Sequence, residues 1–394
     1  MRKPNALRTR GASPRIVAVA AILFLGACDD NTTELTAPSY AMRGIIVNGA
    51  GAHDPVANAQ VTVGAAKTIT DRFGTFSFIN LPPGPAKLKV VATGFNEFEE
   101  DISVTPTDFL HNVTLARIER FETDSFSVYI PAAVSKVNAI LLALGGPNTR
   151  GYAVGTPFGA PLPAVEASLQ TQGEQFRAMA ASKGMAIMGT SVAAMGNSAQ
   201  SDVRILETLK AVAASSGRPD LADAPILMYG ISGGAPEATG FTVRNASRMI
   251  GLFLKVPFGL EKLSTTAVPG LPTYVVMAEL DVFVDNAKLS ALFDSNRANG
   301  GLWAIAMERG VPHHALSPTQ RSVTFNWMNE VLTQRLISET GIVPVTESLG
   351  WIGDPSTGLI APSGTYLRDR SRTSWLPSQE IAKEWKSFTG LGSN

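Results

Sequence analysis

Two different patterns of hydrophobic and polar positions divide this 394-residue chain. Between residues 42 and 118, short apolar and β-branched runs are separated by Gly, Pro and Asn, which is typical of a small antiparallel β-sandwich. The candidate strands here are Gly44–Asn48, Ala59–Val63, Thr68–Thr70, Thr75–Ile79, Ala86–Ala92 and Asn112–Leu115. We therefore predict a small all-β domain over residues 42–118.

From residue 119 to 340, apolar β-type runs alternate with amphipathic helical stretches. The candidate strands are Ser125–Ile130, Ala139–Leu144, Met185–Ser191, Pro225–Tyr229, Met249–Val256, Thr273–Ala278 and Leu302–Met307. The candidate helices are Leu169–Ser182, Ser201–Ser216, Ala235–Asn245 and Ser317–Leu336. Apolar strands that alternate with helices predict an α/β domain with a mostly parallel sheet covered on both faces.

The remaining residues, 341–394, are rich in Gly, Pro and Ser and end in one amphipathic helix, Gln379–Phe388, which Ser378 is placed to cap. Three of the five tryptophans lie in this segment. We interpret it as an extension that packs on the α/β domain. The alternative is that one of these tryptophans borders a binding cleft.

The first 28 residues have the layout of an export signal. Five basic side chains and no acidic one precede or flank an apolar stretch, Ile16–Leu25, which is too short to span a bilayer. The chain's one cysteine, Cys28, ends the sequence Leu-Gly-Ala-Cys, which resembles the lipobox of bacterial lipoproteins. The alternative is an ordinary signal peptide that ends near a cysteine.

The lipobox resemblance implies cleavage before Cys28 and acylation of that residue, and two or more acyl chains give a stable membrane anchor. Residues 29–41 are polar and read as a tether. We therefore expect an extracytoplasmic, lipid-anchored protein of the cell envelope, with the membrane as a partner. Which membrane holds the anchor is open.

Charge and cysteine usage exclude several other classes. Beyond residue 28 the chain has five more acidic than basic side chains, which gives no electrostatic reason to expect a nucleic-acid partner. One cysteine cannot form an intrachain disulfide. No metal-ligand set, phosphate loop or dinucleotide fingerprint is visible, so we expect neither a metal nor a cofactor.

The sequence Gly-Ile-Ser-Gly-Gly at 230–234 carries the clearest chemistry. It follows the buried-strand pattern 225–229 directly and precedes the helical pattern 235–245. Gly-x-Ser-x-Gly between a strand and a helix is typical of a nucleophile elbow, in which only small residues fit two positions before and after the serine. The chain here resembles the α/β-hydrolase superfamily, in its esterase and dienelactone-hydrolase-like branches. The resemblance implies that Ser232 is the nucleophile.

A serine nucleophile requires a base, and the chain has four histidines. Only His313 and His314 lie in the α/β domain, just after its last predicted strand, where this superfamily places its base. The sequence Gly-Val-Pro-His at 310–313 resembles the Gly-x-x-His spacing of cutinase-like and dienelactone-hydrolase-like enzymes. That spacing favours His313, but the choice between the two neighbours stays open.

The acid of such a triad lies between the serine and the histidine in chain order. Asp281 follows the predicted strand Thr273–Ala278 and resembles the superfamily's Asp-x-x-Val at the end of the seventh strand. The resemblance implies that Asp281 orients the imidazole and stabilises the imidazolium. Asp285 and Glu279 are the alternatives.

Two backbone N–H groups are expected to bind the oxyanion. The superfamily's elbow implies Gly233 as one donor. Glycines let the backbone approach a substrate carbonyl closely, so Gly146, which follows the predicted strand Ala139–Leu144, is the candidate for the second. The chain lacks the His-Gly-Gly-Gly form of some lipases, and a simple strand-to-loop turn is the alternative reading of this glycine pair.

The β-rich segment has marks of its own. Pro-Val-Ala-Asn-Ala at 55–59, Thr-Asp-Arg-Phe-Gly-Thr-Phe at 70–76 and Leu-Pro-Pro-Gly at 81–84 resemble the carboxypeptidase regulatory-like domain over about residues 42–117. Such a module is more often a spacer or docking unit than a catalyst.

The sequence as a whole predicts a cofactor-independent serine hydrolase that cleaves a small-molecule or polymer carboxylic ester outside the cytoplasm. A peptidase or amidase of the same fold is one alternative, because the triad alone does not separate them. A surface-anchored binding protein that has lost activity is another, because fold does not prove function.

Overall fold

A computed structural model describes residues 40–50, 53–105, 109–145, 148–160, 162–191, 199–258, 260, 267–268, 270–337 and 341–391. The predicted signal peptide, Cys28 and nearly all of the tether lie outside these residues. Within them, no helix combines the length and apolar character needed to cross a bilayer.

The N-terminal part is a β-sandwich. Its strands are β1 Tyr40–Asn48, β2 Gln60–Val63, β3 Ala66–Ile69, β4 Thr75–Leu81, β5 Gly84–Val91, β6 Phe98–Val104, β7 Phe109–Leu110 and β8 Val113–Leu115. One sheet has the order β4-β1-β7, with β8 also paired to β1, and the other has the order β3-β2-β5-β6. Inward-facing Phe76, Phe78, Leu88 and Val90 are buried between the sheets, as the alternating pattern predicts.

The α/β part is built on one eight-stranded sheet. Its strands are β9 Arg120–Glu122, β10 Phe126–Tyr129, β11 Ala139–Gly145, β12 Met185–Thr190, β13 Ile226–Ile231, β14 Met249–Lys255, β15 Thr273–Ala278 and β16 Trp303–Glu308. The spatial order is β16-β15-β14-β13-β11-β12-β10-β9, and only β9 and β10 run antiparallel to their neighbours. The central strands are buried on both faces, which explains their nearly continuous apolar sequences.

Helices cover both faces of this sheet, and the sheet separates the core into two hydrophobic clusters, one on each face. They are α1 Arg150–Val154, α2 Pro163–Lys183, α3 Ala199–Ser216, α4 Ala235–Arg244, α5 Asn286–Ala298 and α6 Pro318–Arg335. This is the α/β-hydrolase architecture that the sequence predicts, preceded by the small sandwich. Parallel strands place their carboxyl ends at one edge of the sheet, where the loops that carry function gather.

The C-terminal segment packs along the edge of the sheet at β16. Just before it lies the short strand β17 Leu336–Ile337, and the segment itself contains β18 Gly341–Ile342, β19 Trp351–Gly353, β20 Ile360–Pro362 and β21 Ser374–Leu376, followed by the helix α7 Gln379–Phe388. Ser378 caps α7 by accepting a hydrogen bond from the N–H of Ile381, and the predicted apolar face of the helix is buried. The indole N–H of Trp385 donates to the carbonyl of Ile305 in β16 at 2.7 Å, which ties the helix to the sheet.

Candidate active site

The loop that joins β13 to α4 forms a sharp turn around Ser232. The strand ends at Ile231, a 3₁₀ turn spans Ser232–Gly234, and α4 begins at Ala235. Ser232 has φ 49°, in the left-handed region that residues other than glycine rarely adopt. Such a backbone costs about 1–3 kcal/mol and persists where surrounding packing enforces it. The turn lifts the Ser232 hydroxyl off the end of the sheet.

Glycine is required on both sides of Ser232 because neighbouring atoms fill the space of a side chain. A Cβ on Gly230 would lie 2.7 Å from Cδ2 of Leu254 and 2.8 Å from Cβ of Ala238. A Cβ on Gly234 would lie 2.4 Å from the backbone nitrogen of Gly145. These contacts supply the physical reason for the small residues at both positions. They also show that the turn packs directly on the end of β11.

His313 lies against Ser232. Its Nε2 is 2.7 Å from the Ser232 Oγ, which is hydrogen-bonding distance. The loop after β16 carries this histidine, and the imidazole is only 4% exposed. The rings of Phe258 and Phe283 flank it at centroid distances of 5.6 Å and 5.2 Å. Packing on several sides therefore fixes the orientation of the imidazole.

Asp281 completes a chain of hydrogen bonds. Its Oδ2 lies 2.7 Å from Nδ1 of His313, and its carboxylate is fully buried. The other oxygen, Oδ1, accepts hydrogen bonds from the N–H groups of Phe283 at 2.8 Å and Val284 at 3.1 Å. Because the backbone holds Oδ1, Oδ2 is directed at the imidazole. The carboxylate thereby selects the tautomer in which Nδ1 carries the proton and Nε2 accepts from serine.

His314 is placed differently from its neighbour. Its ring lies perpendicular to that of His313, at an interplanar angle of 89° and a centroid distance of 5.0 Å. Within the described chain it has no hydrogen bond to Ser232 or Asp281. Burial, and next the electrostatic effect of the adjacent His313, lower the pKa of His314. The structure therefore places His313, and not His314, in hydrogen-bond contact with Ser232 and Asp281.

The two alternative acids have other partners. Asp285 caps α5 by accepting from the N–H groups of Ala287 and Lys288. Glu279 pairs with Arg309 at 2.6 Å and accepts from the N–H of Gly310. Hydrogen bonds from these partners lower the pKa of each carboxylate. Both groups therefore hold the surrounding loops, and neither contacts His313.

Of the two predicted oxyanion donors, only one lies in the described part of the chain. Gly233 is in the first turn of the helical segment that follows Ser232, where N–H groups have no acceptor within the helix. The positive end of the helix dipole adds to their affinity for an anion. Gly146 lies outside the described residues.

A cavity of about 290 Å³ opens beside Ser232. Its wall is mostly apolar, and its polar side chains are Ser232, Lys255, His313 and His314. The apolar wall is formed by Gly159, Ala160, Val165, Leu169, Ile231, Val256 and Leu316. No described residue of the C-terminal segment lines this cavity, so the tryptophans of that segment do not border it. Among the described residues, no cluster of three or more His, Cys, Asp or Glu side chains is suited to hold a metal ion.

The β-sandwich matches the model of a known domain family. Residues 41–116 match the carboxypeptidase regulatory-like domain. This match confirms the resemblance read from the turn motifs, with nearly the same bounds. It covers the sandwich alone and says nothing about the α/β domain. No curated protein matches the chain.

Several solved structures are similar to part of this chain. A cohesin–X-dockerin complex from Acetivibrio cellulolyticus is 16% identical over 20% of this chain and 59% of that chain, with a TM-score of 0.19. A cold-adapted esterase from an Arctic intertidal metagenomic library is 13% identical over 54% of this chain and 92% of that chain, with a TM-score of 0.35. Esterase PE8 is 14% identical over 52% of this chain and 97% of that chain, with a TM-score of 0.38. This chain thus spans less than two thirds of the first of these structures.

Lys255 is the one polar residue of the cavity that sequence reasoning missed. It is the last residue of β14 and the only charged side chain in the apolar run 249–256. A lone lysine at the end of a buried strand is the signal that could have drawn attention to it. Its burial depends on the loop 313–316, which lies far away in sequence.

Proposed function

We propose that this protein is a cofactor-independent serine hydrolase that cleaves a carboxylic ester through an acyl-enzyme. The observation that carries the proposal is the continuous chain of hydrogen bonds from Asp281 through His313 to Ser232. Both links measure 2.7 Å, and each of the three groups is held in place by packing or by backbone hydrogen bonds. This is the arrangement that acyl transfer by a serine requires.

In the proposed reaction, Ser232 Oγ attacks the ester carbonyl while its proton passes to Nε2 of His313. The imidazolium that forms is stabilised by the Asp281 carboxylate, which remains ionised. His313 then donates the proton to the leaving alcohol, and the acyl group stays on Ser232. A water molecule, deprotonated by the same nitrogen, attacks the acyl carbonyl; the bond from the acyl group to Oγ then breaks, His313 returns the proton to Oγ, and the acid leaves.

The negative charge on the carbonyl oxygen needs donors that are in place before the reaction. We assign one of them to the N–H of Gly233, at the start of the helical segment. Gly146 stays the predicted second donor. In the sequence it follows Gly145, the last residue of β11, on which the serine turn packs.

A matched substrate panel tests the proposal and separates esters from amides. The purified protein and the Ser232→Ala variant are assayed on p-nitrophenyl esters of increasing acyl length and on the corresponding p-nitroanilides. We expect ester turnover that falls by several orders of magnitude in the variant. Equal rates for the two proteins would exclude Ser232 as the nucleophile. Cleavage of anilides without cleavage of esters would instead favour a peptidase or amidase.

We also propose that the protein acts outside the cytoplasm, anchored by lipid at Cys28. The basic segment, the short apolar stretch and the cysteine at the end of the lipobox-like sequence support this. A clickable fatty acid fed to a bacterial host should label the wild-type protein and not a Cys28→Ala variant. Label retained on the variant, or absent from both, would contradict the anchor.

A further inference from the structure

Lys255 places an amino group in the wall of the cavity beside Ser232. It pairs in register with Ile231, the residue that precedes the serine, on the neighbouring strand. The lysine is only 5% exposed. The next residue, Val256, has φ 41°, which is rare for a β-branched side chain and marks a strained end to the strand. Strain of this kind concentrates at binding sites, where the surrounding structure enforces it.

Among the described residues, few acceptors use the hydrogen-bonding capacity of this amino group. An ammonium has three N–H donors. One donates to the carbonyl of Ala315, and in the described part of the chain Nζ has no other acceptor and no carboxylate within ion-pairing distance. Glu308 and Asp281 are the nearby acidic groups, and they act on Lys255 only at longer range. Asp281 is already engaged by His313.

Burial lowers the pKa of Lys255 to about 8, against the smaller opposing effects of Glu308 and Asp281. At pH 7 most molecules therefore still carry the positive charge. A buried charge without a close partner is unfavourable, and a bound anion would satisfy it. The remainder of the wall is apolar, apart from the serine and the two histidines, and suits a short methylene chain.

We propose that Lys255 selects esters that carry a free carboxylate, such as monoesters of short dicarboxylic acids. This inference rests on the proposed function, because it names the substrate class of the same site. The carboxylate would bind the free N–H groups of Lys255 while the ester carbonyl lies at Ser232. Hydrogen bonds to ionised partners are worth about 10- to 100-fold in binding.

Matched pairs of esters test this selection. Monoethyl glutarate and ethyl valerate, or monoethyl adipate and ethyl hexanoate, differ only in whether the acyl chain ends in a carboxylate or a methyl group. 3-Acetoxypropionate and propyl acetate make the same comparison on the alcohol side. We expect the wild-type kcat/KM to favour the carboxylate member of at least one pair by about 10-fold or more.

Two substitutions separate recognition from a structural role. Lys255→Met removes the charge at similar length, and it should lower the ratio of kcat/KM between the members of that pair at least 10-fold. Lys255→Arg keeps the charge and should restore part of the ratio. If Lys255→Met slows both members by the same factor, or if the wild-type protein does not discriminate, the inference is wrong.

A binding measurement distinguishes failure of this inference from failure of the proposed function. Calorimetry with free glutarate and adipate on the Ser232→Ala protein should detect binding that the Ser232→Ala, Lys255→Met protein has lost. Binding that depends on Lys255 without any ester turnover would support carboxylate recognition by Lys255 and contradict the hydrolase. Turnover of methyl-ended esters, with no binding of either dicarboxylate, would support the hydrolase and contradict carboxylate recognition by Lys255.

Discussion

Nε2 of His313 lies 2.7 Å from the Oγ of Ser232, although 81 residues separate the two along the chain. The serine is presented by the turn after β13, and the histidine by the loop after β16 at the same edge of the sheet. Asp281, from the loop after β15, meets the other nitrogen of the imidazole. Three loops at the carboxyl ends of parallel strands thus converge on one imidazole ring.

The two adjacent histidines should differ sharply when each is replaced by alanine. His313→Ala removes the imidazole that is hydrogen-bonded to Ser232, and we expect kcat to fall by about 1,000-fold or more. His314→Ala changes the cavity wall but leaves the hydrogen-bond chain intact, so its main effect should be on KM. Steady-state kinetics on one p-nitrophenyl ester measures both. A larger loss of kcat in the His314 variant would overturn the assignment.

Asp281→Asn should preserve the shape of the site but replace the oxygen that accepts from Nδ1 of His313 with an amide nitrogen that donates to it. An amide nitrogen beside Nδ1 favours the wrong tautomer, and we expect kcat to fall by about 100- to 10,000-fold. Asp285→Asn is the matched control, because asparagine caps a helix as well as aspartate does and this side chain does not contact the imidazole. Comparable losses in the two variants would contradict the role given to Asp281.

The glycines after Ser232 should tolerate alanine very differently. In Gly234→Ala the new methyl group meets the backbone of Gly145, and we expect a loss of about 1–3 kcal/mol in the free energy of unfolding. A Cβ on Gly233 has no heavy atom within 4 Å, so Gly233→Ala should unfold close to the wild type. Urea unfolding followed by fluorescence compares them. Equal stability of both variants would mean that the turn does not pack as described.

Replacing Lys255 should stabilise the protein at neutral pH. Its pKa is lowered from 10.5 to about 8 by burial, so the unfolded chain binds the proton more tightly. The resulting penalty on the folded state is full below pH 8, about 3 kcal/mol, and disappears as the pH rises towards 10.5. The variant loses one hydrogen bond, so Lys255→Met should gain about 1–3 kcal/mol at pH 7 and less at pH 9.5.

Urea unfolding of both proteins at the two pH values checks this difference. For each protein, the free energy of unfolding at pH 9.5 is subtracted from that at pH 7. The difference between the wild-type and variant results cancels the contribution of the other titrating groups. A destabilised variant at pH 7 would mean that the bond to the Ala315 carbonyl outweighs the cost of the buried charge.

Local sequence patterns predicted most of the architecture because burial and steric contact each leave a recognisable pattern in the sequence. Strands buried on both faces are continuously apolar, and the Gly-x-Ser-x-Gly turn is small for the steric reasons seen at Gly230 and Gly234. The choice of His313 over His314 was open, because it depends on how a loop folds against residues far away in sequence. The structure places His313 in hydrogen-bond contact with both Ser232 and Asp281.

The elements that the sequence did not predict lack a strong local pattern. Strand β6, Phe98–Val104, is an edge strand whose acidic side chains pair with Lys87 and Lys89 of β5. Its polar residues hide the alternation that marks a half-buried strand. Helix α5, Asn286–Ala298, buries few apolar side chains and so shows only a weak amphipathic period. In both cases tertiary contacts, not local preference, decide the structure.

Covalent trapping of the nucleophile tests the central claim most directly. The native protein is treated with a fluorophosphonate, and the modified residue is located by intact-mass and peptide mass spectrometry. We predict one phosphonyl group per chain, on Ser232, formed slowly in His313→Ala and absent from Ser232→Ala. Modification of a different residue, or equal labelling of the wild-type and Ser232→Ala proteins, would contradict the account.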